Sequence, residues 1–210
     1  MPTLLEIESS PMNRDASVSR ELTVRFVQQW KQAHRDGSVI TRDLNASRLP
    51  TIDAEWITAM QTPEEKRTPA QREALLLSDT LIAELEAADE YVFGVPMHNF
   101  TVPSVLRLWI DQVARAGKTF AYVNGAPQGL LKGKKAHFII ASGGKYEAGT
   151  PMASYNFVEP YLRTIFGFLG VTDVTFVAAG GTAALSSGKV DRPSFLAPHL
   201  QAVETLVHAA

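Results

Sequence analysis

The chain has 210 residues, of which 45% are hydrophobic and 20% are charged, which is typical of a globular protein with a sizeable core. Its 20 basic and 22 acidic residues give a net charge of -2, so no strong positive field exists to attract nucleic acid. The chain contains no cysteine, which excludes disulfides and thiolate metal sites and fits a reducing cytoplasm. No long apolar run and no signal-peptide pattern occur, so we expect neither a membrane span nor export.

Strand-like and helix-like segments alternate along the chain, which predicts one α/β domain over residues 1–210 with a parallel sheet covered on both faces. In chain order, the predicted elements are a strand at 3–8, a helix at 17–33, a strand at 38–44, a short helix at 54–60, a helix at 69–88, a strand at 91–95, a helix at 102–116, a strand at 136–141, a helix within 151–170, a strand at 171–178 and a helix at 193–209. Five parallel strands suit either a flavodoxin-like sheet or a small dinucleotide-binding fold.

The loop between the first strand and the first helix, residues 9–19, distinguishes these two folds. A dinucleotide-binding fold needs a G-x-G-x-x-G pattern at this point, but the loop contains no glycine. Ser10, Ser17 and Ser19 instead place three hydroxyl groups at a helix N-terminus, which suits one phosphate group. The competing interpretation is that Ser17 only caps the helix.

Two further loops follow the third and fourth strands at the same edge of the predicted sheet. The first, Pro96-Met97-His98-Asn99-Phe100, offers a stiff peptide and an apolar wall for a flat heterocycle, or it is a rigid turn that tucks Phe100 into the core. The second, Ala141-Ser142-Gly143-Gly144, allows close approach of the backbone to a ligand or simply forms a tight turn.

Together, these loops resemble the FMN-dependent NADH:quinone oxidoreductases, also called azoreductases. The resemblance is strongest over residues 96–100 and over residues 110–120, Ile-Asp-Gln-Val-Ala-Arg-Ala-Gly-Lys-Thr-Phe, and it extends over nearly the whole chain. His98 replaces the usual tyrosine of the family, and Ala141 stands where some relatives have serine.

The resemblance implies a flavodoxin-like three-layer sandwich that holds FMN at the interface of a homodimer. The FMN-binding residues that it implies are Ser10, Ser17, Val18, Ser19, Pro96, Met97, His98, Asn99, Phe100, Ala141, Ser142, Gly143 and Gly144. The implied substrate pocket consists of His98, Phe120, Tyr146 and Phe157. A homodimer also fits the predicted helix at 102–113, whose Leu106, Trp109 and Ile110 are more large apolar residues than one buried face requires.

The expected reaction is a ping-pong one, in which NADH or NADPH reduces FMN and a quinone or azo compound then takes two electrons in the same pocket. Backbone N–H groups of Gly143 and Gly144, with Lys145 or Tyr146 nearby, are expected to stabilise the charge of the reduced flavin. The alternatives are a flavodoxin-type electron carrier and a flavin-free regulatory module, although the balanced charge argues against the acidic docking surface of a carrier. The five histidines show no metal-ligand spacing, so no metal site is expected.

Overall fold

The computed structural model describes residues 1–208 of the chain. The strands are β1 (Thr3–Glu8), β2 (Ser38–Asp43), β3 (Glu90–Pro96), β4 (Phe120–Val123), β5 (Ala126–Gly129), β6 (Lys135–Ser142) and β7 (Asp173–Gly180). The α-helices are α1 (Val18–Ala33), α2 (Ala54–Gln61), α3 (Pro69–Ala87), α4 (Ser104–Val113), α5 (Val158–Leu169), α6 (Ala183–Ser186) and α7 (Arg192–His208). Position 209, the end of the predicted last helix, lies outside the described residues.

Five of the strands form one parallel sheet in the order β2-β1-β3-β6-β7. The chain passes from β1 to β2 on one side and then returns to β3 on the other, so the strand order reverses next to β1. Ligands bind at such reversal points, beyond the carboxyl ends of the strands. This strand order is that of flavodoxin-like folds, and the predicted fold class is confirmed.

The two faces of the sheet pack against separate layers of helices, because neighbouring residues of a strand point to opposite faces. Leu5 and Phe93 belong to the core cluster that includes the buried residues of α3, α4 and α5. Leu4 and Val92 belong to the cluster shared with α1 and α7. Since both faces are covered, the strands read as nearly continuous apolar runs, and the carboxyl edge of the sheet is left for a site.

The helix starts follow the predicted capping chemistry. Ser17 is the N-cap of α1, and its side chain accepts a hydrogen bond from the backbone N–H of Arg20. Thr68 and Gln71 form a capping box at the start of α3, and Pro69 occupies a first-turn position. Ser17 therefore caps α1, and this role is compatible with a second role in binding a ligand.

A two-stranded antiparallel hairpin, β4–β5, was not predicted. The Phe120 ring packs on Phe168 of α5 with the ring centroids 4.6 Å apart. Gly129 lies against the end of α5, where an added Cβ would come within 2.1 Å of the backbone nitrogen of Gly170. Only glycine permits this close approach, which fixes the hairpin beside α5.

Helix α4 gives no support to a dimer, contrary to the expectation from its apolar residues. Leu106, Trp109 and Ile110 are all buried within the protomer. Trp109 packs against Phe93 and Phe166 in the aromatic core. These large apolar side chains are covered by the protomer itself, so they offer no surface to a partner subunit.

In residues 1–208, no helix combines the length and the apolar character that crossing a membrane would need.

Candidate functional site

A cavity of about 410 Å³ lies beyond the carboxyl ends of β1, β3 and β6. This volume falls within the usual range of small-molecule sites, about 300–1,000 Å³. Ten of the thirteen residues predicted to bind FMN line it, namely Ser10, Ser17, Val18, Ser19, Pro96, Met97, His98, Ala141, Ser142 and Gly143. Three separate loops therefore meet at one place, as the sequence indicated.

The loop after β1 presents hydroxyl groups and free backbone donors to this cavity. The Oγ atoms of Ser17 and Ser19 lie 3.2 Å apart. The backbone N–H groups of Val18 and Ser19 have no hydrogen-bond partner in the described part of the chain, as expected for the first positions of a helix. Hydroxyls, free N–H groups and the positive end of the α1 dipole together form a site for an anion.

The position of this loop is fixed through the carbonyl group of Ser10. Its oxygen accepts hydrogen bonds from Arg20 Nη2 at 2.6 Å and from Asn45 Nδ2 at 2.8 Å. Arg20 also forms an ion pair with Asp43 at 2.8 Å. The Arg20 guanidinium is thus engaged behind the loop, where it shapes the site without lining it.

The loop after β3 is a tight two-residue turn. His98 and Thr101 exchange backbone hydrogen bonds of 2.9 and 3.0 Å, with Asn99 and Phe100 between them. Asn99 has φ 48° and Phe100 has φ 70°, the left-handed conformation that a type I′ turn requires at both positions. This conformation is costly for a phenylalanine, so the surrounding structure must hold it. It leaves the N–H groups of both residues unpaired within the described residues.

The loop after β6 is held by the loop after β7. The backbone oxygen of Ser142 accepts from the N–H groups of Gly181 and Thr182 at 2.9 and 3.0 Å. An added Cβ on Gly143 would meet no atom within 4 Å, whereas one on Gly144 would lie 3.1 Å from the Tyr146 ring. A side chain at 144 would therefore crowd the Tyr146 ring, whereas the space beside 143 is open to a ligand.

Sequence reasoning missed the residues that the segment after β7 contributes. Thr182, Leu185, Ser186 and Arg192 also line the cavity. Arg192 donates from Nε to Glu21 Oε2 at 2.8 Å, which joins the start of α7 to the first turn of α1. The glycine pair before Thr182 resembles the pair after β6 and was the signal that could have pointed to this loop.

Comparison with known proteins agrees with this geometry. Residues 2–205 match the family described as having the flavodoxin-like fold. The chain is 56% identical to an FMN-dependent NADH:quinone oxidoreductase of Acidobacterium capsulatum, over 97% of this chain and 98% of that protein. This chain belongs to the family of FMN-dependent NADH:quinone oxidoreductases.

Other members of this family and solved structures show the same likeness. A protein of the same description from Burkholderia lata is 50% identical over 97% of this chain and 98% of its own length. The crystal structure of an azoreductase from Bacillus anthracis str. Sterne superposes with a TM-score of 0.89 at 27% identity and covers 100% of both chains. A second B. anthracis structure, an FMN-dependent NADH-azoreductase in complex with FMN, has a TM-score of 0.87 at 26% identity, with 100% of this chain and 99% of that chain covered.

In this oxidoreductase, an aromatic cluster stands beside the cavity. The Phe100 ring centroid is 6.0 Å from that of Tyr146 and 5.3 Å from that of Tyr155. The backbone N–H of Phe157 donates to the Phe100 carbonyl at 3.0 Å, and the Phe157 side chain is 56% exposed. Phe100 is itself partly exposed, so the interpretation that placed its ring in the core is wrong.

Phe120 is the predicted pocket residue that lies apart from the others. It is on the β4–β5 hairpin and packs on Phe168, and it is not among the described residues that line the cavity. Its neighbour on the hairpin, Tyr122, is 66% exposed. Of the four predicted pocket residues, His98 alone is among the described residues that line this cavity. Tyr146 lines a neighbouring cavity that shares Met97 and Ser142 with it, and Phe157 is tied to Phe100 by its backbone, whereas Phe120 lies apart on the hairpin.

One buried carboxyl group near the site, that of Glu8, has a strongly raised pKa. Burial raises the pKa of Glu8, at the end of β1, to about 8. Repulsion from Glu6 and Asp43 adds to this shift, and attraction to Arg20 opposes it. Among residues 1–208, no three acidic or histidine side chains are grouped in a way that could hold a metal ion.

Proposed function

We propose that this chain uses bound FMN to oxidise NADH and to reduce quinones and aromatic azo compounds. The observation that carries the proposal is the convergence of three loops on one cavity at the ligand-binding edge of a flavodoxin-like sheet. Each loop has backbone N–H groups without a partner among residues 1–208. The names of its relatives, FMN-dependent NADH:quinone oxidoreductase and FMN-dependent NADH-azoreductase, support the same reaction.

The phosphate group of FMN suits the loop after β1. Ser10, Ser17 and Ser19 supply hydroxyl groups, and Val18 and Ser19 supply free backbone N–H groups. The loop lacks the glycines that a pyrophosphate-binding loop needs for close approach of its backbone, which favours FMN over FAD. Arg192 adds a positive charge to the lining of the same cavity.

The isoalloxazine ring suits the loops after β3 and β6. Pro96, Met97 and His98 line one side of the cavity, and Ala141, Ser142 and Gly143 line another. When bound, FMN supplies the hydride-accepting and electron-donating chemistry. The free N–H groups of Asn99, Phe100, Gly143 and Gly144 are the donors we assign to the ring, where they would stabilise negative charge.

We further propose that the enzyme is a homodimer in which Phe120 reaches the pocket of the partner subunit. Exposed apolar side chains support an interface, notably Tyr122 and Val123 on the hairpin and Tyr155 and Phe157 beside the cavity. A dimer gives Phe120 a role that it lacks within one protomer. Light scattering that finds a fully active monomer would refute this arrangement.

We also propose that the chain works as a single FMN-binding domain in the cytoplasm. The three loops of the site come from both halves of the chain, so neither half holds the site alone. The lack of cysteine in the sequence fits the reducing conditions of the cytoplasm.

The test is to purify the protein and identify what it binds and what it does. We expect a yellow protein that releases FMN on denaturation and that catalyses steady-state oxidation of NADH by a quinone. Release of FAD, or no flavin binding after reconstitution, contradicts the cofactor assignment. A flavin that turns over with quinone only when a separate reductase is added would indicate an electron carrier instead of an enzyme.

A further inference from the structure

Glu8 is a buried carboxyl group next to the phosphate-binding loop, and the proposed reaction does not use it. It is the last residue of β1, so Ser9 and Ser10 follow it directly. The residue is 4% exposed, and neither carboxyl oxygen has a hydrogen-bond partner in the described part of the chain. An ionised carboxylate without partners is unfavourable in such a place, and a buried group of this kind takes up a proton instead.

The surroundings of Glu8 make room for the carboxyl group but do not neutralise it. On β3, Gly94 lies so close that an added Cβ would be 2.5 Å from Glu8 Oε2. On α1, the Thr23 hydroxyl donates to the Ser19 carbonyl at 2.8 Å, so its effect on Glu8, a lowering of the pKa, is the smallest of those acting on this carboxyl group. The nearest cation, Arg20, already pairs with Asp43 at 2.8 Å.

Burial favours the neutral form of Glu8, and two of the three charged groups around it act in the same direction. Glu6 points to the same face of β1, and Asp43 lies at the end of the neighbouring strand β2. Both repel a negative charge on Glu8, while Arg20 on α1 attracts it; β3 contributes no charge at this point, since Gly94 is its contact. Burial outweighs all of these and raises the pKa of Glu8 to about 8.

We propose that Glu8 is a positioning residue that must carry a proton for the loop after β1 to hold the dianionic phosphate of FMN. This inference rests on the proposed function. Glu8 lies behind the loop whose Ser10 and Ser19 face the cavity, and like charges separated by low-dielectric protein repel strongly. By linkage, phosphate binding and the proton on Glu8 favour each other.

The test compares FMN affinity with pH, measured by quenching of flavin fluorescence when the apoprotein is titrated. The second ionisation of a phosphate monoester lies near pH 6, so the ligand keeps one charge state between pH 7 and 9. We expect wild-type affinity to be steady up to about pH 7.5 and to be about tenfold weaker at pH 9, one unit above the pKa of about 8. Riboflavin, which lacks the phosphate, should show no such fall.

Two variants separate this role from general effects of pH. Glu8→Gln resembles the protonated side chain, so its FMN affinity should stay at the low-pH value through pH 9. Glu6→Gln is the matched control, because Glu6 is a second buried acid on the same face of β1 with Thr41 as its partner. That variant should keep the loss of affinity at high pH.

Infrared spectroscopy of the apoprotein gives a readout that needs no flavin. At pH 7, the wild type should show the C=O band of a protonated carboxyl group, which disappears as the pH rises past about 8 and is missing in Glu8→Gln. If Glu8→Gln does not fold, the wild type decides the matter through two results together: a band that titrates near pH 8 and a loss of affinity over the same range for FMN but not for riboflavin.

Four results would each overturn the inference. Two concern FMN: a wild-type affinity that is the same at pH 7 and pH 9, or a Glu8→Gln protein whose affinity still falls between these pH values. The other two are an equal fall in riboflavin affinity and the absence of the protonated carboxyl band. Any of these results leaves FMN binding at pH 7 intact. If the wild type binds no FMN at pH 7, the proposed function itself has failed.

Discussion

Replacing Ser17 and Ser19 together by alanine should weaken FMN binding far more than it destabilises the protein. Both side chains are buried at the phosphate end of the cavity, and the only side-chain hydrogen bonds that they form among the described residues are with each other and with the N–H of Arg20. Each hydrogen bond to a charged group contributes about 1.5–3 kcal/mol. Loss of both is therefore worth about 3–6 kcal/mol, or a rise in Kd of about 10²- to 10⁴-fold. Because the N–H groups of α1 remain, we expect the lower part of this range.

The cost in stability should be smaller, because only the capping bond of Ser17 is lost from the folded apoprotein. An N-cap serine is worth about 1 kcal/mol. Thr68→Ala is the matched control, since Thr68 caps α3 through a 3.2 Å bond and lies outside the residues that line the cavity. It should reduce the free energy of unfolding by a similar amount and leave the Kd for FMN unchanged.

The assay is flavin fluorescence quenching for the Kd and urea denaturation of the apoprotein for stability. If the double variant binds FMN within about fivefold of the wild type while losing about 1 kcal/mol of stability, Ser17 is a helix cap alone and neither hydroxyl group binds the phosphate. The phosphate would then have to be held elsewhere, with the backbone N–H groups and Arg192 as the remaining donors.

Three further outcomes are expected. His98→Tyr should change the quinone kcat/KM several-fold, because His98 lines the cavity and a larger phenol would alter the space for the acceptor. Unchanged acceptor selectivity would make His98 a bystander. Arg192→Gln should weaken FMN binding about tenfold, most at low salt, and should leave riboflavin binding unchanged. An equal loss of affinity for both flavins would contradict a role of Arg192 at the phosphate. Glu90→Gln should cost about 2 kcal/mol at pH 7 in urea denaturation, because the carboxylate accepts from Trp30 at 2.6 Å and pairs with His137 at 2.7 Å. Burial acts to raise the pKa of Glu90, but these bonds outweigh burial and lower the pKa. The stabilisation is therefore present above about pH 4.5 and is lost as the pH falls through the lowered pKa. A Glu90→Gln variant that loses as much stability in acid as the wild type would refute this assignment.

The architecture was accessible from the sequence because local patterns and the global fold agree. Alternating segments predicted the parallel sheet, and the glycine-free loop after β1 excluded a dinucleotide-binding fold. The β4–β5 hairpin could also have been predicted, since Asn124-Gly125 is a strong signal for a type I′ turn and both residues have positive φ. Pro127 obscures that signal, although proline is tolerated in an edge strand such as β5.

The burial of acidic residues in β1 could not be predicted from the sequence in the same way. Glu6 and Glu8 alternate with apolar residues in β1, a pattern that usually marks a face open to solvent. Here the same face is covered by α1, so both acids are buried. A period of two shows which residues share a face, but only the packing of helices on the sheet decides whether water reaches that face.

The residues that line the cavity could be predicted only in part, for a similar reason. Once β7 is known to lie beside β6, the loop after it must end at the same edge of the sheet as the predicted loops. That argument points to the segment beginning at Gly181, but it does not select side chains within it. Arg192 lines the cavity where the start of α7 meets α1, and its bond to Glu21 joins residues 171 positions apart. Such a contact depends on how two helices meet, and no local pattern in either segment records it.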